Sequence, residues 1–249
     1  MLRQTSHVTF RFYARLNDFL SADHQQMDFQ QPFCGKVSVK DLIEATGVPH
    51  TEIGLILLNH HAIDFNYHLH DNDHISVYPP FCQLDISEFS RNQPLPLSDI
   101  KFVVDTHMGK LARYLRLLGF DTLYQNNYTD PELATISATE NRILLTRDRG
   151  LLKHSIIKYA YFVRTTGSHN QLQEIISQFD LKLLFKPFSR CIHCNGALIK
   201  VDKKLIAAQL QTKTKRFYQH FKQCRNCQHI YWQGSHYYKI LNLITSLEN

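Results

Sequence analysis

Apolar and polar side chains alternate from His7 to Leu16, with Val8, Phe10 and Phe12 set between Thr9, Arg11 and Tyr13. A period of two predicts a strand with one buried face. Ser38 stands before Val39 to Thr46, and Gly47-Val48-Pro49 follows, which predicts a short helix with a capping serine and a glycine-proline stop. The runs Gly54 to Leu58 and His74 to Tyr78 read as strands, with a turn near Asn59 to His61. One helix among several strands within about 80 residues is an α+β module. Pro94 and Pro96, among Ser, Gln and Asn over residues 82–99, break regular structure and read as a linker.

From Lys101 the grammar changes. Lys101 to Val104, Asp121 to Tyr124, Ile143 to Thr146 and Tyr159 to Arg164 read as short strands. Between them, Met108 to Leu118 has leucines at helical spacing and a stop at Gly119, and Asp130-Pro131-Glu132 opens a second helix. Asn170 to Phe179 adds a third, with Leu172, Ile175, Ile176 and Phe179 on one face. Strands alternating with helices predict parallel βαβ units in a three-layer α/β domain.

Charge sharpens the division. Residues 1–98 hold 6 Lys and Arg against 11 Asp and Glu, residues 99–186 hold 12 against 9, and residues 187–249 hold 10 against 2. The chain runs from acidic to basic, and a basic end favours a polyanionic partner because its cations displace phosphate counterions; a solvated basic surface is the plainer reading. No apolar stretch approaches the roughly 20 residues that span a bilayer. The start lacks the apolar run of a secretory signal, so a reducing cytoplasm is the expected compartment.

Candidate chemistry lies first in carboxylates. Asp105 directly follows the strand ending at Val104, Asp148 comes just after Ile143-Leu144-Leu145-Thr146, and Asp130 opens the second helix. Strand carboxyl ends in a parallel sheet share one edge, where α/β proteins assemble their sites. Acids converging there suit magnesium or manganese and metal-assisted phosphodiester cleavage. Each also has a structural reading: Asp105 and Asp130 as helix caps, Asp148 as the partner of a flanking arginine, and Glu140 as a solvated residue rather than a further catalytic acid. Lys110, Arg113 and Arg116 recur every three residues on the first helix, a basic stripe that could hold a phosphate backbone or simply face water.

Cys191-Ile192-His193-Cys194 and Cys224-Arg225-Asn226-Cys227 are two C-x-x-C pairs separated by 29 residues. Two such turns facing each other make the four-sulfur site that zinc prefers, with a redox pair or disulfide as the alternative. The spacing is long, so a strand pair or helix is expected between Lys200 and Phe221. His193, His220 and His229 are nearby nitrogen alternatives, and Cys34 and Cys82 read as ordinary thiols. Around the cysteines, Lys213, Lys215, Arg216, Lys222 and Arg225 interleave with Phe217, Tyr218, Phe221, Tyr231, Trp232, Tyr237 and Tyr238. Rings that stack on unpaired bases beside cations that track phosphates mark single-stranded nucleic-acid binding, although small zinc modules also fill poor cores with aromatics.

Phe102-Val103-Val104-Asp105, Gly109-Lys110-Leu111-Ala112-Arg113-Tyr114-Leu115-Arg116-Leu117-Leu118-Gly119, Asp130-Pro131-Glu132-Leu133 and Arg142-Ile143-Leu144-Leu145-Thr146-Arg147-Asp148-Arg149 follow in the order and spacing of a known signature. The chain resembles the Mut-seven carboxy-terminal ribonuclease domain, a PIN-like nuclease family, and its cysteine segment with Tyr231-Trp232-Gln233-Gly234-Ser235-His236-Tyr237 is similar to that family's closing ribbon. The resemblance implies an acidic, magnesium- or manganese-binding pocket acting on RNA, with Asp105, Asp130 and Asp148 as metal-binding catalytic residues and Glu140 as a further candidate. Residues 5–80, through Phe10-Arg11-Phe12-Tyr13, Gly47-Val48-Pro49-His50-Thr51-Glu52 and Val77-Tyr78-Pro79, resemble the ubiquitin-like module fused ahead of this nuclease, which implies a β-grasp fold. Related sulfur carriers end in a free Gly-Gly, whereas here the chain continues through Pro79-Pro80-Phe81; and His60 stands where the family implies glycine after Asn59.

The expectation is therefore a β-grasp domain over 1–81, a linker over 82–99, a PIN-like parallel α/β/α domain over 100–186 and a zinc ribbon over 187–249. The expected activity is a divalent-metal-dependent endoribonuclease, with Lys110, Arg113, Arg116 and Arg147 on the substrate and Cys191, Cys194, Cys224 and Cys227 on structural zinc. The alternatives are a non-catalytic RNA-binding adaptor whose ubiquitin-like domain recruits a protein partner, and duplex DNA binding through the ribbon.

Overall fold

Val8, Phe10 and Phe12 all turn inward from β1 (Thr5–Phe12), each no more than 1% exposed. The computed structural model describes residues 5–81, 92, 97, 99–234, 237, 238, 241 and 242. After β1 come β2 (Phe29–Cys34), the helix α1 (Val39–Ala45), and then β3 (Leu55–Leu58), β4 (His61–Ile63) and β5 (His74–Tyr78). They form one five-stranded sheet in the order β2-β1-β5-β3-β4, with β1 and β5 parallel and the other neighbours antiparallel. This is the β-grasp arrangement. Ser38 caps α1 as its position predicts, accepting from the Asp41 amide at 3.1 Å, and Val39, Leu42 and Ile43 press the helix onto the sheet.

Two strands escape the alternation rule. β2 is an edge strand in which Gln30, Gln31 and Pro32 interrupt the apolar positions, and Pro is tolerated there because it sits at an edge. β4 has only three residues. The strand expected to reach Leu16 ends at Phe12, and Ala14–Phe19 winds into a 3-10 turn that buries Leu16 and Phe19 on one side. Between β3 and β4, Asn59 and His60 both take positive φ, 45° and 73°. A hairpin turn of this hand is easiest for glycine, and His60 adopts it regardless.

The α/β part supplies β6 (Lys101–Val104), α2 (Gly109–Leu118), β7 (Asp121–Leu123), α3 (Asp130–Glu140), β8 (Ile143–Thr146), β9 (Ala160–Phe162) and α4 (Ser168–Gln178). β6 runs parallel to β7, and β8 parallel to β9. The parallel α/β expectation is borne out. Gly119 ends α2 at φ 99°, and a side chain there would come within 2.2 Å of the Lys186 carbonyl, so the stop is required both by backbone and by space.

The carboxy-terminal part is an antiparallel sheet of β10 (Leu198–Val201), β11 (Phe221–Cys224) and β12 (Ile230–Trp232). The helices α5 (Lys203–Ile206) and α6 (Thr212–Phe217) fill the long spacing between the cysteine pairs. By packing, the chain divides into two compact units, Met1–Ser98 with Asp130–Phe162 and Asp99–Thr129 with Val163–Asn249. Pro94 and Pro96, read as part of a linker, lie outside the described residues, as do Cys82, Ser235 and His236. Among the described residues no helix is long and apolar enough to cross a membrane.

Candidate metal centre and basic cleft

Each C-x-x-C pair folds as a tight knuckle. Cys191 N–H donates to the Gly196 carbonyl and Asn195 N–H to the Cys191 carbonyl, while Cys224 N–H donates to His229 and Gln228 N–H to Cys224. Asn195 and Gln228, one residue after each second cysteine, both take left-handed φ, 67° and 61°. The turn points two sulfurs the same way, and the two knuckles face each other. Cys191 Sγ lies 3.6 Å from Cys227 Sγ, and Cys194 Sγ 3.4 Å from Cys224 Sγ. All four ligand atoms fall within 4.8 Å of one another. Zinc–sulfur bonds of about 2.3 Å in a tetrahedron place sulfurs roughly 3.8 Å apart, so these residues fit a zinc ion and could hold one. Among the described residues this is the only group of three or more candidate ligands that converges so closely.

The sulfurs are supported by their surroundings. Cys191 and Cys224 are buried, Cys194 and Cys227 exposed. Although the residue is exposed, partial desolvation of its sulfur and the neighbouring thiols push Cys227 up to about 12. Burial also raises Cys191, but the Tyr231 hydroxyl at 3.1 Å and main-chain donors outweigh it and bring that thiol to about 7. Gly196 has no room for a side chain, since a Cβ would sit 2.8 Å from Cys224 Sγ. His193, His220 and His229 are not among the converging ligands.

The first knuckle is bolted to β7. Asn195 accepts from the Thr122 amide at 3.0 Å and donates to Asp121 at 2.7 Å, and Arg190 pairs with the same Asp121 at 3.1 Å. Arg116 completes the attachment. It is only 4% exposed, and it donates to the carbonyls of Thr122, Ile192 and His193 at 2.9, 3.2 and 3.0 Å. This corrects the expected basic stripe: a helix of 3.6 residues per turn rotates positions three apart, so Lys110 and Arg113 face solvent while Arg116 turns under the knuckle. Arg116 is a positioning residue for the cysteine centre.

Lys110 and Arg113 line a cleft of ≈ 860 Å³ with Thr106, His107, Ser168 and His193, and Arg116 also reaches its wall. Its floor is fixed by Tyr124, whose hydroxyl donates to the Thr106 carbonyl at 3.0 Å and whose ring lies where a Gly109 side chain would be. His193 is held toward its neutral form by burial first, and then by His229 and the Arg113 and Arg116 guanidinium groups.

The carboxylates take distinct places. Asp105 follows β6 and is 8% exposed. Its side chain does not cap the turn after it, as the structural reading had it, but accepts from the Thr106 hydroxyl at 3.1 Å. Asp130 is the first residue of α3 and is exposed. Asp148 is exposed, and its Oδ1 accepts from the Gly150 and Leu151 amides at 2.6 and 3.3 Å, pinning the turn that leaves β8. Arg147 beside it is exposed. Glu140, at the end of α3, pairs with Arg142 at 2.7 Å.

An acid at the end of an apolar strand, cations at a cleft mouth and a four-cysteine ribbon meet in a single pattern. Residues 100–244 match the Mut7-C RNAse domain, and residues 5–85 match Mut7-C ubiquitin. The chain belongs to the Mut7-C RNAse domain family. No curated protein and no solved structure matches it.

The Mut7-C ubiquitin segment grips the stretch that carries Asp148. Arg149 donates to the carbonyls of Asp18 and Phe19 at 2.8 and 3.2 Å, with its guanidinium over the Phe19 ring. Lys153 donates to the Glu44 carbonyl, and Thr51 to that of Leu152. His50 sits between Glu44, at 2.6 Å, and the Ile157 carbonyl, at 3.1 Å. Burial raises Glu44, but this hydrogen bond and the charge of His50 leave it below the ordinary carboxylate value. Glu52, 1% exposed, accepts from the Phe162 amide at 2.7 Å and faces Arg15 at 3.7 Å. Apart from Arg149, one of the arginines read as flanking partners of Asp148, sequence reasoning assigned none of these residues a role. The signal was present in His50-Thr51-Glu52, three polar residues inside a module-specific motif that neither strand nor helix periodicity accounts for.

Proposed function

We propose that this Mut7-C protein is a divalent-metal-dependent ribonuclease that hydrolyses RNA phosphodiester bonds within the strand. Asp105, Asp130 and Asp148 are the metal-binding carboxylates, Lys110, Arg113 and Arg147 hold the phosphate backbone, and the four cysteines carry a structural zinc ion. The single observation behind this reading is Asp105, a carboxylate 8% exposed at the carboxyl end of an apolar strand, in a domain of the RNAse family. The carboxyl ends of parallel strands are where α/β proteins assemble their sites, and a carboxylate oxygen there suits a hard cation. Magnesium and manganese keep several waters and take one or two carboxylates, so no closed cage is needed. Such ions, when bound, supply an activated water and neutralise charge at the leaving oxygen. The chain's own contribution is to orient the phosphate against Lys110 and Arg113 and to keep the Asp148 turn in place through Arg149 and the ubiquitin-like segment. Glu140, engaged with Arg142, is assigned to the helix end and not to the chemistry.

The test incubates the zinc-loaded full chain with end-labelled RNA and manganese beside Asp105→Asn and Asp148→Asn. Manganese-dependent cleavage lost in Asp105→Asn supports the assignment. Cleavage that persists in both variants removes this site, and RNA binding with no cleavage in any protein points to an adaptor.

A further inference from the structure

The ribbon carries an open groove of ≈ 1400 Å³ that the metal centre does not use. The three-stranded sheet forms one wall, with Lys200 and Trp232, and the insertion between the cysteine pairs forms the other, with Lys204, Lys215 and Tyr218. The insertion gives the unusual cysteine spacing a purpose: α5 and α6 are not needed to bring the knuckles together, but they build the second wall.

The aromatic residues sort into two groups. Phe221 is 3% exposed and fills the core, Tyr231 supports Cys191, and Tyr237 stacks on Phe188 at 4.3 Å. Tyr218 and Trp232 line the groove with ring centroids 6.4 Å apart, and Trp232 is 41% exposed. Gly234 preserves that position, because a Cβ there would come within 2.9 Å of Trp232 Nε1. The cations sort likewise. Lys222 donates to the Phe188 carbonyl and Lys203 to Gln219, whereas Lys200, Lys204 and Lys215 are exposed along the groove. Among the described residues Asp202 is the one acidic residue lining it, and its side chain accepts from the Lys204 amide.

We propose that this groove binds a single-stranded polynucleotide, Tyr218 and Trp232 stacking on unpaired bases while Lys200, Lys204 and Lys215 follow the phosphates. Ring faces in a cationic groove recognise splayed bases, which a duplex does not offer. The proposal rests on the ribonuclease reading only for the choice of RNA over DNA, and it gives that reading a substrate form, the single strand.

Trp232 is the chain's single tryptophan, so the site reports on itself. The zinc-loaded Asp105→Asn chain, without magnesium or manganese, is titrated with a short oligouridine, a matching oligothymidine and an RNA duplex while tryptophan emission is followed. Saturable quenching by both single strands is expected, with the duplex at least about tenfold weaker. Trp232→Ala should weaken a labelled oligouridine about tenfold and Trp232→Phe much less, with zinc content unchanged in both. Lys200→Ala with Lys204→Ala should reduce the salt slope by about 1.4, at roughly 0.7 for each lost phosphate contact. Binding without a change in emission, equal binding of the duplex, or an unaltered affinity in Trp232→Ala overturns the groove. Because neither magnesium nor manganese takes part, a wild-type chain that binds here yet never cleaves sinks the ribonuclease reading alone.

Discussion

The β-grasp module and the ribbon are both small, and both set polar side chains beside aromatic rings, yet they turn them in opposite directions. In the β-grasp module Arg15, Glu44, His50 and Glu52 face the segment 149–162 of the same chain, and Phe19 meets Phe162 edge to face at 5.1 Å. In the ribbon Lys200, Lys204, Lys215 and Trp232 face solvent around a groove. The acidic module therefore uses its charge as internal structure, while the basic one keeps its charge for something outside the chain. The face of the ubiquitin-like fold made by residues 15–19 and 44–52 is taken in cis, so a protein partner of that domain would have to use another face.

The comparison breaks most visibly if metal is removed. Cys224→Ser or a strong chelator should unfold the ribbon, since site binding is folding energy on the order of 10 kcal/mol. Hydrogen exchange should show protection lost over 187–234 and kept in the β-grasp sheet; uniform loss would mean that the two regions are not separate in stability. The pH dependence has a definite sign. Metal must displace the thiol protons, including that of Cys227 near 12, so acidification releases the ion and alkaline conditions retain it. A colorimetric zinc indicator across a pH series reads this directly.

A matched pair of substitutions sharpens the contrast. Glu52→Ala leaves the Phe162 amide and Arg15 without their carboxylate and should cost about 3 kcal/mol in urea unfolding. Trp232→Ala, at a solvent-facing ring, should change stability by less than about 0.5 kcal/mol. Similar losses in both would mean the groove ring is a core residue after all.

Smaller effects follow within the β-grasp module. Glu44 is depressed in the folded state, so it adds stability above its ordinary value near 4.5, and that contribution fades as pH falls through the folded value. Glu44→Gln should flatten the acid limb of the stability curve, and an unchanged limb would remove the His50 contact from consideration. His60→Gly should stabilise the chain by about 0.5 to 1 kcal/mol, because φ of 73° is strained for histidine and natural for glycine. A lowered midpoint in thermal melts would show that the imidazole contributes something the turn alone does not reveal.

Much of this was legible in the residue order. Alternation at Val8, Phe10 and Phe12, the Ser38 cap, the Gly119 stop and the two C-x-x-C knuckles are local rules, and each element they predicted is present. β2 was hidden by Gln30, Gln31 and Pro32, an edge pattern that local periodicity does not distinguish from a loop. Arg116 was misread because its three-residue spacing with Lys110 and Arg113 describes a stripe, whereas burial depends on what packs over the end of α2, here a knuckle about 76 residues further along.

By itself, then, the residue order determined the α/β and β-grasp elements, the four sulfur ligands and the acidic-to-basic gradient, because caps, periodicities and turn chemistry act between neighbours along the chain. Only the tertiary structure decided which charges are internal and which are offered to a ligand. A side chain's charge belongs to its residue, but its solvation and its partners belong to segments that the sequence holds far apart.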